Sequence, residues 1–252
     1  MDKKLIELRK VSAGYDKKII LSGVDFIVRE NDFVGIIGPN GGGKTTLLKV
    51  ILGLIKPHKG EIQYNFADNG KKYRNRIGYL PQQNSIDRKF PISVKEVILS
   101  GLISERNNRF SFGRKKADRL QEVLDLTGMQ GYSNNPVGEL SGGQMQRVFL
   151  GRAIISKPEI LILDEPGTFV DNRFEQELYQ VLLELNKSMA ILLVSHDVGT
   201  ISSYIKTIAC VNGTLHYHPS NKISSDQLKV YNCPIDIITH GTVPHRVLHD
   251  HK

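Results

Sequence analysis

The sequence predicts an α/β fold: a mostly parallel sheet flanked by helices, beside an antiparallel β layer and carrying an inserted helical subdomain. Three observations lead there. Residues 33–37, 160–163 and 190–194 are flush apolar runs of strand length, the pattern of strands buried on both faces of a parallel sheet. A glycine-rich loop joins the first run to a helical stretch. Between the first two runs, further stretches repeat apolar residues at helical spacing. At 252 residues and 40% hydrophobic, the chain can bury one sizeable core, or a core with a subdomain.

In chain order, residues 5–11, 19–28 and 61–64 alternate or cluster apolar side chains at strand spacing and form the expected antiparallel layer. Residues 33–37 lead into Gly38-Pro-Asn-Gly-Gly-Gly-Lys-Thr45, which fits G-x-x-x-x-G-K-[ST], and residues 46–52 open a helix. In such a P-loop the backbone from Gly38 through Pro39, Asn40, Gly41, Gly42 and Gly43 cradles phosphate. Lys44 reaches the β- and γ-phosphates, Thr45 offers its hydroxyl to Mg²⁺, and Thr46 caps the α-phosphate region. Strand before and helix after are the context this motif requires, so the core reads as that of a P-loop NTPase.

Ser93-Val-Lys-Glu96 is a capping box opening a helix through Val97, Ile98, Leu99 and Leu102. Residues 115–126 place Leu120, Val123, Leu124 and Leu126 at helical spacing. In Leu140-Ser-Gly-Gly-Gln144, Ser141 and Gln144 form a second capping box, for a helix through Met145, Val148, Phe149 and Ala153. Capping does not explain Gly142 and Gly143, since glycine inside a helix costs up to about 1 kcal/mol relative to alanine. Bare backbone at a helix N-terminus suits the close approach of an anion. Ser141, Gly142, Gly143 and Gln144 therefore read as a second phosphate-facing helix start.

Residues 160–163 end in Asp164-Glu165-Pro166. Carboxylates at the carboxyl end of a parallel strand lie where such sheets bind ligands. Asp164 suits holding Mg²⁺, directly or through water, and Glu165 suits orienting and deprotonating an attacking water. Alone, the pair would read as a solvated acidic turn; the P-loop reverses that. Residues 190–194 end in Ser195-His196-Asp197, which brings His196 to the same end of the sheet, within reach of a γ-phosphate.

With these pieces the chain strongly resembles the ATP-binding subunits of ABC transporters, over roughly residues 5–215. The resemblance makes residues 140–144 the signature and Asp164 with Glu165 the Walker-B pair. It also implies that Tyr15 stacks on adenine, Asp171 is the D-loop aspartate and His196 the switch histidine. Gly78-Tyr-Leu-Pro-Gln82 matches the Q-loop, so Gln82 is expected to contact Mg²⁺ and water and to sense the membrane partner; adjacent Gln83 competes for that role. One departure is visible: Gly167 precedes Thr168 where the family has threonine directly after Glu-Pro, although Asp171 keeps its spacing. The resemblance further implies a head-to-tail homodimer around two ATP, in which Ser141 and its glycines face the γ-phosphate held by the other chain. An integral-membrane permease, served by an extracytoplasmic substrate-binding protein, would dock in a groove beside the Q-loop.

These signals place one nucleotide-binding domain at 1–220, its helical subdomain at about 91–155, and a histidine-containing tail at 221–252. The longest apolar runs fall far short of the ~20 residues that span a bilayer, and the N-terminus lacks the apolar stretch of a signal peptide. Cys210 and Cys233 form no ligand or disulfide pattern. The expected location is the cytoplasmic face of the membrane, reached through a partner. The formal charge of +8 is spread, densest at 71–76 and 106–119; no nucleic-acid module is recognised, so no nucleic acid is expected. A single cassette without coiled coil, second cassette or fused membrane domain resembles an importer ATPase, with a soluble ATPase acting on nucleic acid or ribosomes as the alternative. Residues 231–252 hold His240, His245, His249 and His251 with Cys233, and resemble the C-terminal segment of ATPases serving zinc and manganese importers. Iron-chelate import is the competing cargo. The tail's histidines read equally as metal ligands and as solvated side chains.

Overall fold

The computed structural model describes residues 3–16, 18–66, 76–82, 90–103, 112–167, 172–196, 198–221, 236–240 and 243–247. The apolar runs β3 (Phe33–Ile37), β6 (Ile160–Asp164) and β7 (Ala190–Val194) are buried at every position. They join β5 (Ile77–Leu80) and β8 (Thr207–Asn212) in a parallel sheet of order β5-β6-β7-β3-β8, which β9 (Thr214–His218) closes in antiparallel fashion. A second sheet, order β2-β1-β4, is antiparallel throughout and comprises β1 (Lys4–Tyr15), β2 (Lys18–Arg29) and β4 (Lys59–Tyr64). β1 runs past residue 11 because bulges absorb irregular register there. At Lys10 the backbone is left-handed (φ 47°) and its N–H donates to Asp25 Oδ1 at 2.9 Å. The extension carries Tyr15 to the strand's last position.

Alternation along the flush strands divides the core in two. Phe33, Ile37, Leu161, Leu163, Ile191 and Leu193 face one apolar cluster, shared with residues of the helices between 94 and 154 and of the helix at 172–185. Val34, Ile36, Ile160, Ile162, Leu192 and Val194 face another, shared with β1, β2 and helix α1 (Lys44–Ile51). Each fully buried aliphatic side chain contributes roughly 1.5–3 kcal/mol, so both faces of the sheet are strongly fixed. The consequence for function lies in the parity. Asp164 follows Ile160 and Ile162 on the α1 side of the sheet.

Helix α2 (Val94–Ser100) begins at the expected capping box, with Glu96 Oε2 accepting from the Ser93 N–H at 2.8 Å. It stops at Ser100, and Leu102 is buried in the following turn rather than in the helix. α3 (Phe112–Thr127) and α2 both pack on α4 (Gly142–Ile154). α5 (Asn172–Leu185) and the short α6 (Val198–Ile201) follow β6 and β7. Within the segment read from the sequence as a histidine-containing tail, β10 (Asp236–His240) and β11 (Val243–Val247) form an antiparallel hairpin, and β11 lies against α6. Cys233, His249 and His251 lie outside the described residues. Cys210 is buried. Among the described residues no helix is long and apolar enough to cross a membrane.

Candidate active site

β3 ends at Ile37 and the chain turns through the glycine-rich loop into α1, which starts at Lys44, two residues before the sequence-based estimate. Two glycines are sterically required. A Cβ on Gly38 (φ 149°) would stand 2.0 Å from the Val211 carbonyl oxygen, and one on Gly43 (φ 103°) 2.7 Å from Leu21. Gly43 caps α1 without a side-chain hydrogen bond, so the first turn presents its N–H groups to the loop's interior. The Lys44 ammonium is buried and donates to the carbonyls of Gly38 (2.9 Å) and Pro39 (3.0 Å). Asn40, Gly41 and Thr45 are exposed, whereas Gly42 and Thr46 are buried. A cleft of about 260 Å³ opens over this loop, lined also by Tyr15, Ile20 and Glu165. Tyr15 is 44% exposed; its hydroxyl accepts from Lys49 Nζ at 3.1 Å. Its ring therefore offers a planar apolar surface at the mouth of a phosphate-sized cradle.

The ends of β5, β6 and β7 converge on Glu165. Its carboxylate accepts from Gln82 Nε2 at 2.5 Å on one oxygen and pairs with His196 Nε2 through the other. His196 Nδ1 is buried without a hydrogen-bond partner among the described residues. Glu165 itself is left-handed (φ 52°), a state that costs a residue with a Cβ roughly 1–2 kcal/mol and that clusters at functional sites. Its N–H is held by the Val194 carbonyl at 3.0 Å. Gln82 thus engages the neighbouring glutamate rather than standing alone.

Asp164 is 3% exposed. Burial, and then the charge of Glu165, push its carboxyl above the ordinary range, while Lys44 and His196 draw it back. Asp164 and Thr45 carry the hard oxygen donors that Mg²⁺ takes. Sequence reasoning overlooked Tyr79. It shares strand parity with Ile77 on the α1 face, lies opposite Ile162, and hydrogen-bonds Asp164; burial followed by that carboxylate pushes its hydroxyl up to about 12. The signal was available as period-2 alternation within Gly78-Tyr-Leu-Pro-Gln82.

The second glycine-bearing helix start is built differently. Ser141 Oγ accepts from Gln144 N–H at 3.3 Å, and Gln144 Oε1 accepts from Ser141 N–H at 3.0 Å, so the capping box is complete. Ser141 and Gly142 are exposed; Gly143 and Gln144 are partly so. None of the four lines the cleft over the P-loop. Farther along α4, Gln146 Nε2 donates to the Pro166 carbonyl. Arg147 Nη1 donates to the Thr127 carbonyl at 3.0 Å, and its Nη2 pairs with Glu177. No pattern in the sequence singled out these two side chains. Gly167 sits beside Glu175, whose Oε1 would be 2.9 Å from an added Cβ. Gln83, Thr168 and Asp171 lie outside the described residues.

The family described as ABC transporter matches residues 21–168. The "Probable metal transport system ATP-binding protein" of Thermotoga maritima is 37% identical over 98% of both chains. The zinc uptake system ATP-binding protein ZurA of Listeria monocytogenes is 40% identical, covering 83% of each chain, and the manganese transport system ATP-binding protein MntB of Bacillus subtilis is 40% identical over 81% of each. Among solved structures, a dimeric ATP-binding cassette bound to ADP and Pi superposes with a TM-score of 0.72 at 27% identity, covering 87% of this chain and all of that one. A chain of an inward-facing ABC transporter gives a TM-score of 0.81 at 21% identity, covering 99% and 97%, which speaks to the fold alone. The chain belongs to the ATP-binding subunits of ABC transporters, and it is an ATPase.

Proposed function

We propose that this chain powers uptake of a divalent metal ion, zinc or manganese, by closing as a homodimer around two ATP. It would do so at the cytoplasmic face of the membrane, on an integral permease fed by an extracytoplasmic substrate-binding protein. The observation that carries the ATPase half is the convergence of Gln82, His196 and Asp164 around Glu165, which lines the same cleft as Lys44. In this reading residues 1–220 are one nucleotide-binding domain, with α2, α3 and α4 as its helical subdomain.

Tyr15 would stack on adenine, and the backbone from Gly38 to Gly43 would hold phosphate oxygens with Lys44, Thr45 and Thr46. The Lys44 ammonium would exchange its two loop carbonyls for the terminal phosphates. Asp164 and Thr45 would hold Mg²⁺, with Gln82 nearby; bound there, the ion would neutralise charge on the β- and γ-phosphates. Glu165 would accept the proton of the attacking water, and His196 would fix the carboxylate and donate toward the γ-phosphate. Ser141, Gly142, Gly143 and Gln144 would meet the γ-phosphate bound to the second chain, with Asp171 at the same junction. The metal cargo is supported by the names of the relatives, one of which aligns over nearly the whole chain, tail included.

Glu165→Gln should abolish turnover yet allow Mg-ATP-dependent dimers. Size-exclusion chromatography with light scattering checks the second point, and phosphate release the first; normal hydrolysis would sink the role given to Glu165. Cargo is tested by co-purifying the permease and measuring ATP-dependent uptake into liposomes containing the binding protein. Zinc or manganese uptake is expected. Transport of an iron chelate instead, or co-purification of nucleic acid or ribosomes without a permease, would overturn the importer assignment.

A further inference from the structure

The left-handed peptide at Glu165 is pinned on both sides. Before it, the Glu165 N–H donates to the Val194 carbonyl at 3.0 Å. After it, the Pro166 carbonyl accepts from Gln146 Nε2. Gln146 belongs to α4, whose N-cap is Ser141, five residues earlier and little more than one turn away. The next residue anchors α4 to its surroundings, because Arg147 bonds the Thr127 carbonyl at the end of α3 and pairs with Glu177 on α5. The helix that begins at the signature is therefore tied to the chain segment just after Glu165 and to the helix beyond it.

We propose that Gln146 is a positioning residue for Glu165, linking the signature end of α4 to the carboxylate of its own chain. The proposal rests on the reading that Glu165 is the base and that Ser141 meets the partner's nucleotide. A donor amide on a backbone carbonyl is directional. A shift of α4 on engaging the second nucleotide would move the Pro166 carbonyl, and with it the neighbouring left-handed peptide. Hydrolysis at one site would then depend on closure at the other, a coupling between distinct sites. Because Glu165 must lie in line with its water, a small misplacement weighs on turnover more than on binding.

Gln146→Glu keeps the side chain's shape but leaves an acceptor-only carboxylate facing the Pro166 carbonyl; Gln146→Met removes the donor without adding charge. For both, kcat should fall about tenfold while the KM for ATP stays within about twofold, as a misaligned base predicts. The Hill coefficient for ATP should drop from near two toward one. Introduced into Glu165→Gln, Gln146→Met should leave the Mg-ATP-dependent dimer as abundant as in Glu165→Gln alone. Unchanged kcat and cooperativity in both variants would overturn the proposal. So would loss of the dimer in the double variant, which would show that Gln146 merely supports α4. Normal hydrolysis by Glu165→Gln alone would remove the base from the site, and this proposal with it.

Discussion

The two helices that begin with glycines, α1 and α4, solve the same problem in opposite ways. α1 leaves Gly43 uncapped by any side chain, with Gly42, Gly43, Lys44 and Thr46 buried around it. α4 closes its first turn with its own Ser141 and Gln144, and presents Ser141 and Gly142 to the outside. One is a pocket, shaped by neighbours such as Leu21 and Val211 that forbid any side chain on Gly43 and Gly38. The other is a face, stable without a ligand, whose glycines have no evident task inside this chain. A concave site completed within the chain and a convex one completed outside it are what a head-to-tail dimer requires.

Breaking each end separately should expose that difference. Lys44→Ala removes the ammonium at the pocket, and hydrolysis should fall by about 10²–10³, the usual loss for one preorganised electrostatic group. ATP binding by the isolated chain should weaken with it. Gly142→Asp puts a carboxylate at the α4 N-terminus, where the helix dipole favours it by about 0.3–1 kcal/mol. The melting temperature should hold or rise, and ATP binding by the isolated chain should stay within about twofold. Hydrolysis should nevertheless drop at least tenfold, since in the proposed dimer the new charge would repel the phosphate of the second chain. Equal damage to binding by both variants would mean that the two ends serve one nucleotide.

Much of this arrangement was legible because it depends on local chemistry. The flush runs at β3, β6 and β7 read as strands buried on both faces and are so, and Ser93-Val-Lys-Glu96 and Ser141-Gly-Gly-Gln144 both form their capping boxes. What the sequence did not reveal depends on long-range placement. The order β5-β6-β7-β3-β8 sets residues more than eighty positions apart side by side, and that alone brings Gln82 to Glu165 and Tyr79 to Asp164. The left-handed turn at Glu165 follows no residue preference, and Gln146 gains its meaning only from the carbonyl it meets. The C-terminal hairpin was hidden because Asp236–His240 and Val243–Val247 hold no flush apolar run.

Acid titration sharpens the pocket side. Burial, then Glu165, raises the Asp164 carboxyl above its ordinary value of 3.8, so the native state binds this proton more tightly than the unfolded chain does. For such a group stability is greatest below the ordinary value and is lost as pH rises toward the raised one. Asp164→Asn removes that loss. The nucleotide-free variant should melt higher than the parent at neutral pH, with the gap closing as pH falls through the carboxylate range. Differential scanning calorimetry without nucleotide reads this directly; a variant that melts lower at every pH would mean that the charge is already compensated in the empty site.

The smallest effect separates a cap from a ligand. Ser93 and Ser141 both begin helices with capping boxes, and Ser→Ala at such a position costs roughly 0.5–2 kcal/mol, about 2–4 °C per kcal/mol in a protein of this size. Purely structural caps should show that modest loss alone, and Ser93→Ala should leave ATP hydrolysis per folded molecule unchanged. Ser141→Ala should show a similar loss of stability and an added several-fold fall in hydrolysis, because in the proposed dimer its hydroxyl also meets a phosphate. The comparison removes stability from the argument: two alanines, two helix N-caps, and one difference in turnover. If both variants hydrolyse ATP like the parent once melting is accounted for, Ser141 is a helix cap and nothing more. The case for a phosphate at α4 would then rest on Gly142 and Gly143 alone.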